Sequence, residues 1–153
     1  MYSNFYIFRY AAIMVIIVAA LLSAAAMFLK PAQQRNIAVA KMQGILAAAN
    51  VESDAETAEG LFTDFITEEL VIDNQGDVVS SWDGSGFGDS KEQLRAFEID
   101  IKRELYKKSI GEDFRMPLYL AEKDGDRFYI IPLLGKGLWG PIWGNISFGA
   151  DRN

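Results

Sequence analysis

The chain has 153 residues, half of them hydrophobic, and 15 basic against 21 acidic side chains leave a formal net charge of −6. That length suits a single domain, and the acidic balance argues against a nucleic-acid surface, which needs clustered Lys and Arg. Cysteine and histidine are both absent, which excludes a disulfide framework, iron–sulfur and haem ligation from within the chain and Ser-His-Asp or Cys-His triads. It also removes the usual zinc ligands. No metal site and no catalytic residue is nominated, so redox chemistry here has to be carried by an organic cofactor.

Residues 1–9 form a short head whose one charged side chain is Arg9. From Tyr10 to Leu29 there are 20 consecutive residues without a charge. A helix of that length spans roughly 30 Å, the hydrocarbon thickness of a bilayer. The Ile13–Val18 block and the alanines beyond it are apolar on every side, so residues 10–29 read as a transmembrane helix. Tyr6 and Tyr10 sit at one end as interfacial aromatics do. The rival reading is a cleaved signal peptide with Ala24-Ala25-Ala26 as its small-residue site, although the apolar core exceeds the usual length of about 7–15 residues. Arg9 favours an inside N-terminus, whereas Lys30 and Arg35 pull the other way.

Lys30-Pro31 is expected to break the helix, because the residue before a proline resists helical backbone. A second helix then follows from Gln33 to Asn50, with Ala38, Met42, Ile45, Leu46 and Ala49 striped at helical spacing. Ser53-Asp54-Ala55-Glu56 has the capping-box pattern and predicts a short helix burying Leu61, Phe62, Phe65 and Ile66. Residues 69–73 and 77–81 flank Asn74-Gln75-Gly76 and read as a hairpin. Gly84-Ser85-Gly86-Phe87-Gly88 is a loop that only superficially resembles a phosphate cradle, since no Gly-Lys-Ser/Thr follows. Ser90 to Lys108 is expected to be one helix, capped by Asp89 or Ser90, with Leu94, Phe97, Ile101 and Leu105 on its apolar face. Lys102, Arg103, Lys107 and Lys108 crowd its end, where they complement the helix dipole or meet lipid headgroups. Asp124-Gly125 between the runs 116–121 and 127–132 is a strong hairpin signal.

The stretch from Gly135 to Gly144 packs four glycines, two tryptophans and a proline into ten residues. This is neither helix nor ordinary strand chemistry. Two readings stand. In one, the tryptophans plug the core of the domain, as large aromatics generally do. In the other, a bare backbone beside large rings forms a surface on which a flat ligand or another chain lies. A strand over residues 142–148 follows. Glycosidase-like chemistry from the carboxylate pairs Glu68-Glu69 or Asp124/Asp126 needs a defined separation in space, and both pairs read as solvent-facing.

The series Phe114-Arg115-Met116-Pro117-Leu118-Tyr119-Leu120, Phe128-Tyr129-Ile130-Ile131-Pro132-Leu133 and Gly135-Lys136-Gly137-Leu138-Trp139-Gly140-Pro141-Ile142-Trp143-Gly144 resembles the FMN-carrying C-subunit of the sodium-translocating NADH:quinone reductase of bacterial membranes. The anchor and the Lys30-Pro31-Ala32-Gln33-Gln34 junction match as well. The G-subunit of the related Rnf electron-transport complex is similar more loosely. The resemblance implies an α+β, FMN-binding-type domain of antiparallel hairpins and helices behind one inner-membrane helix. Its implied organisation is a cytoplasmic head (1–9), the anchor (10–29), a juxtamembrane helix (30–50) and a periplasmic domain (51–153). It implies a flavoprotein subunit passing electrons from NADH towards ubiquinone, coupled to sodium export, with the other membrane subunits and the lipid bilayer as partners and no nucleic acid.

In that family FMN is bound through a phosphoester to the threonine of a Ser-Gly-Ala-Thr motif. The motif does not occur in this chain, so the resemblance implies truncation ahead of it. Covalent FMN is then expected to be absent, unless Thr57, Thr63 or Thr67 accepts it. Gly137, Leu138, Trp139 and Gly140 match the glycine-tryptophan loop and are expected to lie near the flavin. The alternative is a membrane-anchored scaffold without its own flavin. Truncation also implies that residues 142–148 form an apolar edge strand, prone to pair with other chains.

Overall fold

The structure, a computed structural model, describes residues 4–149. The chain divides into two compact units between Ala38 and Val39. The first is the leading part of helix α1, which as a whole spans Asn4–Ala48. It is long and apolar enough to cross a membrane, and none of its most apolar stretch is buried by protein. Ile16, Leu21, Leu22 and Phe28 all point outward, as side chains that expect lipid do. The anticipated break at Lys30-Pro31 does not occur, since α1 runs through Pro31 without interruption. Pro31 lacks the N–H that would bond the Met27 carbonyl. The Ala-, Leu- and Gln-rich turns on either side are good helix formers that carry the helix across this single defect.

The second unit begins with the last ten residues of α1, of which Val39, Ile45 and Leu46 are buried, with Ala49 just beyond. Asn50 adopts a left-handed backbone (φ 56°), and Val51 N–H returns to the Leu46 carbonyl at 3.0 Å, which closes the helix. Helix α2 spans Ala58–Phe65. The expected capping box is replaced by an Asp54 turn, because its Oδ1 accepts from the amides of Glu56 and Thr57 at 2.9 and 2.8 Å.

Five strands form one antiparallel sheet in the order β2-β1-β3-β4-β5. They are β1 (Ile66–Ile72), β2 (Val78–Trp82), β3 (Met116–Lys123), β4 (Asp126–Gly137) and β5 (Gly140–Gly149). The β1–β2 turn is held by Asp73, whose carboxylate accepts from Gln75 and Asp77 amides at 2.9 Å each, with Gly76 at φ 91°. Asp124 and Gly125 close β3–β4 with φ of 55° and 88°, the two left-handed positions that a tight hairpin turn demands. Ile45, Leu46, Phe62, Val71, Ala96, Tyr119 and Ile130 build the core on one face of the sheet. Mixed helix and antiparallel sheet make this an α+β fold.

The helix expected over residues 90–108 is largely absent. Residues 96–98 are a single 3-10 turn, and helix α3 spans only Ile101–Ser109. Its cap is Asp100, whose side chain accepts from the Lys102 and Arg103 amides at 3.0 and 3.4 Å. Upstream, the sheet takes the amides a helix would have used. Leu94 N–H donates to Ser80 Oγ at 3.3 Å, and Phe97 N–H to the Glu69 carboxylate at 3.0 Å.

Candidate functional site

The glycine-tryptophan stretch is a hairpin. β4 and β5 pair without a break from Phe128↔Gly149 to Gly137↔Gly140, leaving Leu138 and Trp139 as the two turn residues. The stretch is therefore ordinary strand on both arms, contrary to the expectation from its composition, because glycine in a strand is tolerated where cross-strand pairs fix the register. Two glycines have identifiable roles. Gly140 sits at φ 144°, a backbone that L side chains rarely adopt. A Cβ on Gly137 would lie 2.6 Å from Ile142 Cδ1, so the Ile142 side chain folds over that position.

The core-plug reading of the tryptophans is overturned. Trp139 is 97% exposed and Leu138 92% at the hairpin tip, and Trp143 is 62% exposed. Leu138 and Trp139 are the turn residues of the hairpin, and Trp143 lies on the outermost strand of the sheet. Between Phe128 and Gly149 the single charged residue is Lys136. The surface is an apolar, nearly uncharged hairpin ending in an indole. Gly137, Leu138, Trp139 and Gly140, which the resemblance places near a flavin, form the tip of this hairpin. Tested for FMN, the tip fits one half of the need: an exposed indole and leucine can cover a flat ring, and Gly140 leaves open space beside them. The tip is an exposed turn, and within the hairpin from Phe128 to Gly149 Lys136 is the one cation for a phosphate.

A second constellation escaped the sequence reading. Glu69, taken for a solvent-facing residue, is 3% exposed in the middle of β1. It shares a cross-strand row with Trp82 of β2 and Tyr119 of β3. Its carboxylate accepts from the Arg95 guanidinium and from Phe97 N–H. The Arg95 guanidinium carbon lies 5.0 Å from the Trp82 ring centroid, and Phe87 meets that ring edge-on at 5.0 Å. Tyr119 donates from its hydroxyl to the Ala96 carbonyl at 3.2 Å, and burial pushes its phenol well above the ordinary tyrosine range. The sequence signal was its parity with Val71, which places Glu69 on the core face. All these groups hold the 94–97 segment against the sheet.

The other sequence candidates resolve into local structure. The 84–88 loop turns its amides inward, with Ser85 and Gly86 N–H donating to Asp83 Oδ1 at 2.9 and 3.0 Å, so they are not presented to a phosphate. Lys107 pairs with Glu104 at 2.7 Å, and Lys108 lies 5.4 Å from the Phe114 ring centroid. A cleft of about 320 Å³ beside α3 contains Glu92, Glu104 and Arg115. Within it Arg115 bonds Glu92 at 2.6 Å, and its amide donates to Glu104 at 2.9 Å. Among the described residues no group of three or more metal-ligating side chains converges. Thr57, Thr63 and Thr67 donate their hydroxyls to Asp54, the Glu59 carbonyl and the Leu120 carbonyl at 2.8, 3.1 and 3.4 Å.

No family model matches the chain. It is 24% identical over 140 residues to the Na(+)-translocating NADH-quinone reductase C-subunit of Vibrio campbellii, a match covering 87% of this chain and 54% of that protein. The crystal structure of the Na(+)-translocating NADH-quinone reductase C-subunit of Parabacteroides distasonis superposes with a TM-score of 0.62 at 30% identity, over 80% of this chain and 52% of that one. The chain spans about half the length of each relative. In sequence and in fold it is similar to these C-subunits.

Proposed function

We propose that this chain, as a relative of the C-subunits of Na(+)-translocating NADH-quinone reductases, serves as a membrane-anchored subunit of such a respiratory complex, with its second unit on the periplasmic side. In this reading FMN relays electrons on the path from NADH to quinone, and the complex exports sodium. The observation that carries the proposal is the agreement of sequence and fold with the two C-subunits, joined to an N-terminal helix able to cross a membrane.

FMN supplies the electron chemistry, and the protein supplies position and surroundings. Trp139 and Leu138, exposed at the β4–β5 tip, are placed to cover the apolar ring and exclude water. Gly140 and Gly137 keep the backbone bare on either side. Because the tip offers a covering surface without an enclosing pocket, the remaining contacts to the flavin come from elsewhere in the complex.

The scaffold reading has its own support. The three threonines that would have to accept FMN in this chain donate to local acceptors. In-gel flavin fluorescence after denaturation, on the chain co-expressed with flavin-transfer machinery, tests attachment directly. A dark band from the chain, with flavin retained in the purified complex and lost on Trp139→Ser, supports non-covalent positioning at the tip. Flavin retention unaltered by Trp139→Ser and Gly140→Val would remove the tip from the flavin site. A complex with full activity and no flavin on this chain would leave the scaffold role.

A further inference from the structure

Charge is spread unevenly over the second unit. Residues 51–153 carry 11 basic against 21 acidic side chains, whereas the nine residues of α3 carry four basic and one acidic. That one acid, Glu104, is buried and pairs with Lys107 at 2.7 Å. Asp100 ahead of the helix is taken up by the Lys102 and Arg103 amides, and Asp113 behind it accepts from the Asn74 side chain at 3.0 Å. Glu98 and Glu112 stand exposed before and after the helix. Dipole complementarity accounts for Lys107 and Lys108 in the last turn. It does not account for Lys102 and Arg103, because α3 begins at Ile101 and they fall in its first turn, the end where the dipole disfavours cations.

The helix is also apolar where it meets solvent. At 3.6 residues per turn, Lys102, Tyr106, Ile110, Arg103 and Lys107 follow one another around an arc of about 140°. Ile101 and Glu104 lie on the opposite side and are buried. In the middle of the outward arc Tyr106 is 64% exposed and Ile110, the C-cap, 51%. Lys102 flanks them on one side, Arg103 and Lys107 on the other. An aromatic and an aliphatic side chain bordered by cations is the pattern of a helix lying in a bilayer interface, with the rings and methyls among the headgroups and the cations at the phosphates. The chain brings its own bilayer, since α1 is apolar and long enough to cross one. Only residues 30–38 separate the uncharged stretch ending at Leu29 from Val39, where the second unit begins, so a lipid surface is met at high effective concentration. An anionic surface repels the acidic remainder of the unit and leaves α3 as the side that meets it.

We propose that the outward face of α3, centred on Tyr106 and Ile110 and flanked by Lys102, Arg103 and Lys107, docks on the anionic phospholipid headgroups of the membrane that α1 crosses. The contact orients the second unit on the bilayer surface. This inference rests on the membrane-anchored reading given above and is independent of flavin.

The test uses the full chain. It has no cysteine, so Ser109→Cys, exposed in the last turn of α3, gives one attachment point for a nitrobenzoxadiazole fluorophore. The labelled chain is placed in nanodiscs of phosphatidylcholine alone or mixed with phosphatidylglycerol, each doped with a doxyl lipid as quencher. The expected result is quenching about twofold or more stronger in the phosphatidylglycerol discs at low salt, falling towards the phosphatidylcholine value at high salt as screening sets in. Lys102→Gln with Arg103→Gln should remove the difference, and Lys91→Gln, exposed outside α3, should not. Tyr106→Ser should weaken the quenching while leaving its salt dependence, which keeps the apolar part of the contact testable on its own. A chain that co-elutes with the discs and shows no quenching in either lipid overturns the proposal. So does equal quenching in both lipids at every salt concentration, which leaves the cations without a role. Shielding of the label by polyglutamate in detergent, with no response to phosphatidylglycerol, assigns the face to an acidic polypeptide and overturns it as well. A chain that does not co-elute with the discs refutes the anchored reading itself, and the proposal falls with it.

Discussion

Replacing Glu69 tests whether a buried carboxylate, in place of helix propensity, organises residues 94–98. Glu69 is 3% exposed and accepts from two donors, the Arg95 guanidinium and Phe97 N–H at 3.0 Å. In Glu69→Ala the Phe97 amide loses its partner in a buried setting, which costs about 1–3 kcal/mol. Arg95 loses its counter-ion, but its side chain is 36% exposed and recovers water, so the full penalty of a broken buried pair does not apply. We assign about 1 kcal/mol to that loss. The total is about 3 kcal/mol, on the order of a 10 °C fall in melting temperature for a domain of this size. Glu69→Gln keeps an amide oxygen for Phe97 N–H and removes only the charge, so about 1 kcal/mol is expected. Thermal and urea unfolding of the full chain in detergent, followed by near-UV circular dichroism, gives both values. Hydrogen exchange should show faster Leu94 and Phe97 amides in the alanine variant. Combining Glu69→Ala with Arg95→Ala should cost less than the two changes added. If Glu69→Ala changes stability by less than about 0.5 kcal/mol, the size of an ordinary surface substitution, or if the glutamine variant is as damaged as the alanine variant, the anchoring role is refuted.

Gly125→Ala places a Cβ at φ 88° and should cost about 1–2 kcal/mol in the same unfolding assay; no loss would mean the β3–β4 turn adopts another geometry. Trp139→Ser removes a side chain that is 97% exposed and should leave stability within about 0.5 kcal/mol, so a large loss would restore the core-plug reading. In acid, Asp54 is held below the usual carboxylate range by the Thr57 hydroxyl and the amides of Thr57 and Glu56, and Glu92 by its bond to Arg115. Such groups contribute stability above the unfolded carboxylate pKa of about 4, and it is lost as pH falls through their lower folded values. Melting temperature should fall below about pH 4, and Asp54→Asn should remove part of that slope. In alkali, burial raises Tyr119 above its ordinary value of 10.0. Stability is then full below about pH 10 and lost above it, as the unfolded phenol ionises and the folded one does not. Tyr119→Phe should weaken this alkaline loss, and an unchanged pH profile would contradict the burial.

What could be read from the chain was the chemistry that is local. Asp124-Gly125 and Asn74-Gln75-Gly76 specify their turns through backbone freedom at one or two positions, and both hairpins stand where the pattern put them. The closing of α1 at Asn50 is equally local. Leu94, Phe97, Ile101 and Leu105 do have helical spacing, yet Ser80 and Glu69 on distant strands take the amides of Leu94 and Phe97. Periodicity cannot report a competitor that arrives through tertiary contact. Pro31 misled in the opposite sense, because the local rule is a bias and the long helix outweighs it.

The candidate site divides along the same line. Gly137, Leu138, Trp139 and Gly140 were singled out through the resemblance, and their place at a hairpin tip was not read from the sequence, because the glycines and Pro141 masked the strand pattern on both arms. That the indole stands in the open was not legible either, since composition alone pairs tryptophan with burial. Exposure depends on what lies beyond β5, and the sheet order that makes β5 an edge is a non-local fact. Glu69 is the inverse case. Beside Glu68 it reads as one of two surface acids, but strand parity sends the two carboxylates to opposite faces. Glu68 accepts from Ser81 at 2.6 Å on one side, and Glu69 anchors Arg95 and Phe97 on the other. The buried acid keeps the 94–97 segment closed over the core, whereas at β5, the other end of the sheet, Ile142 and Trp143 stand exposed.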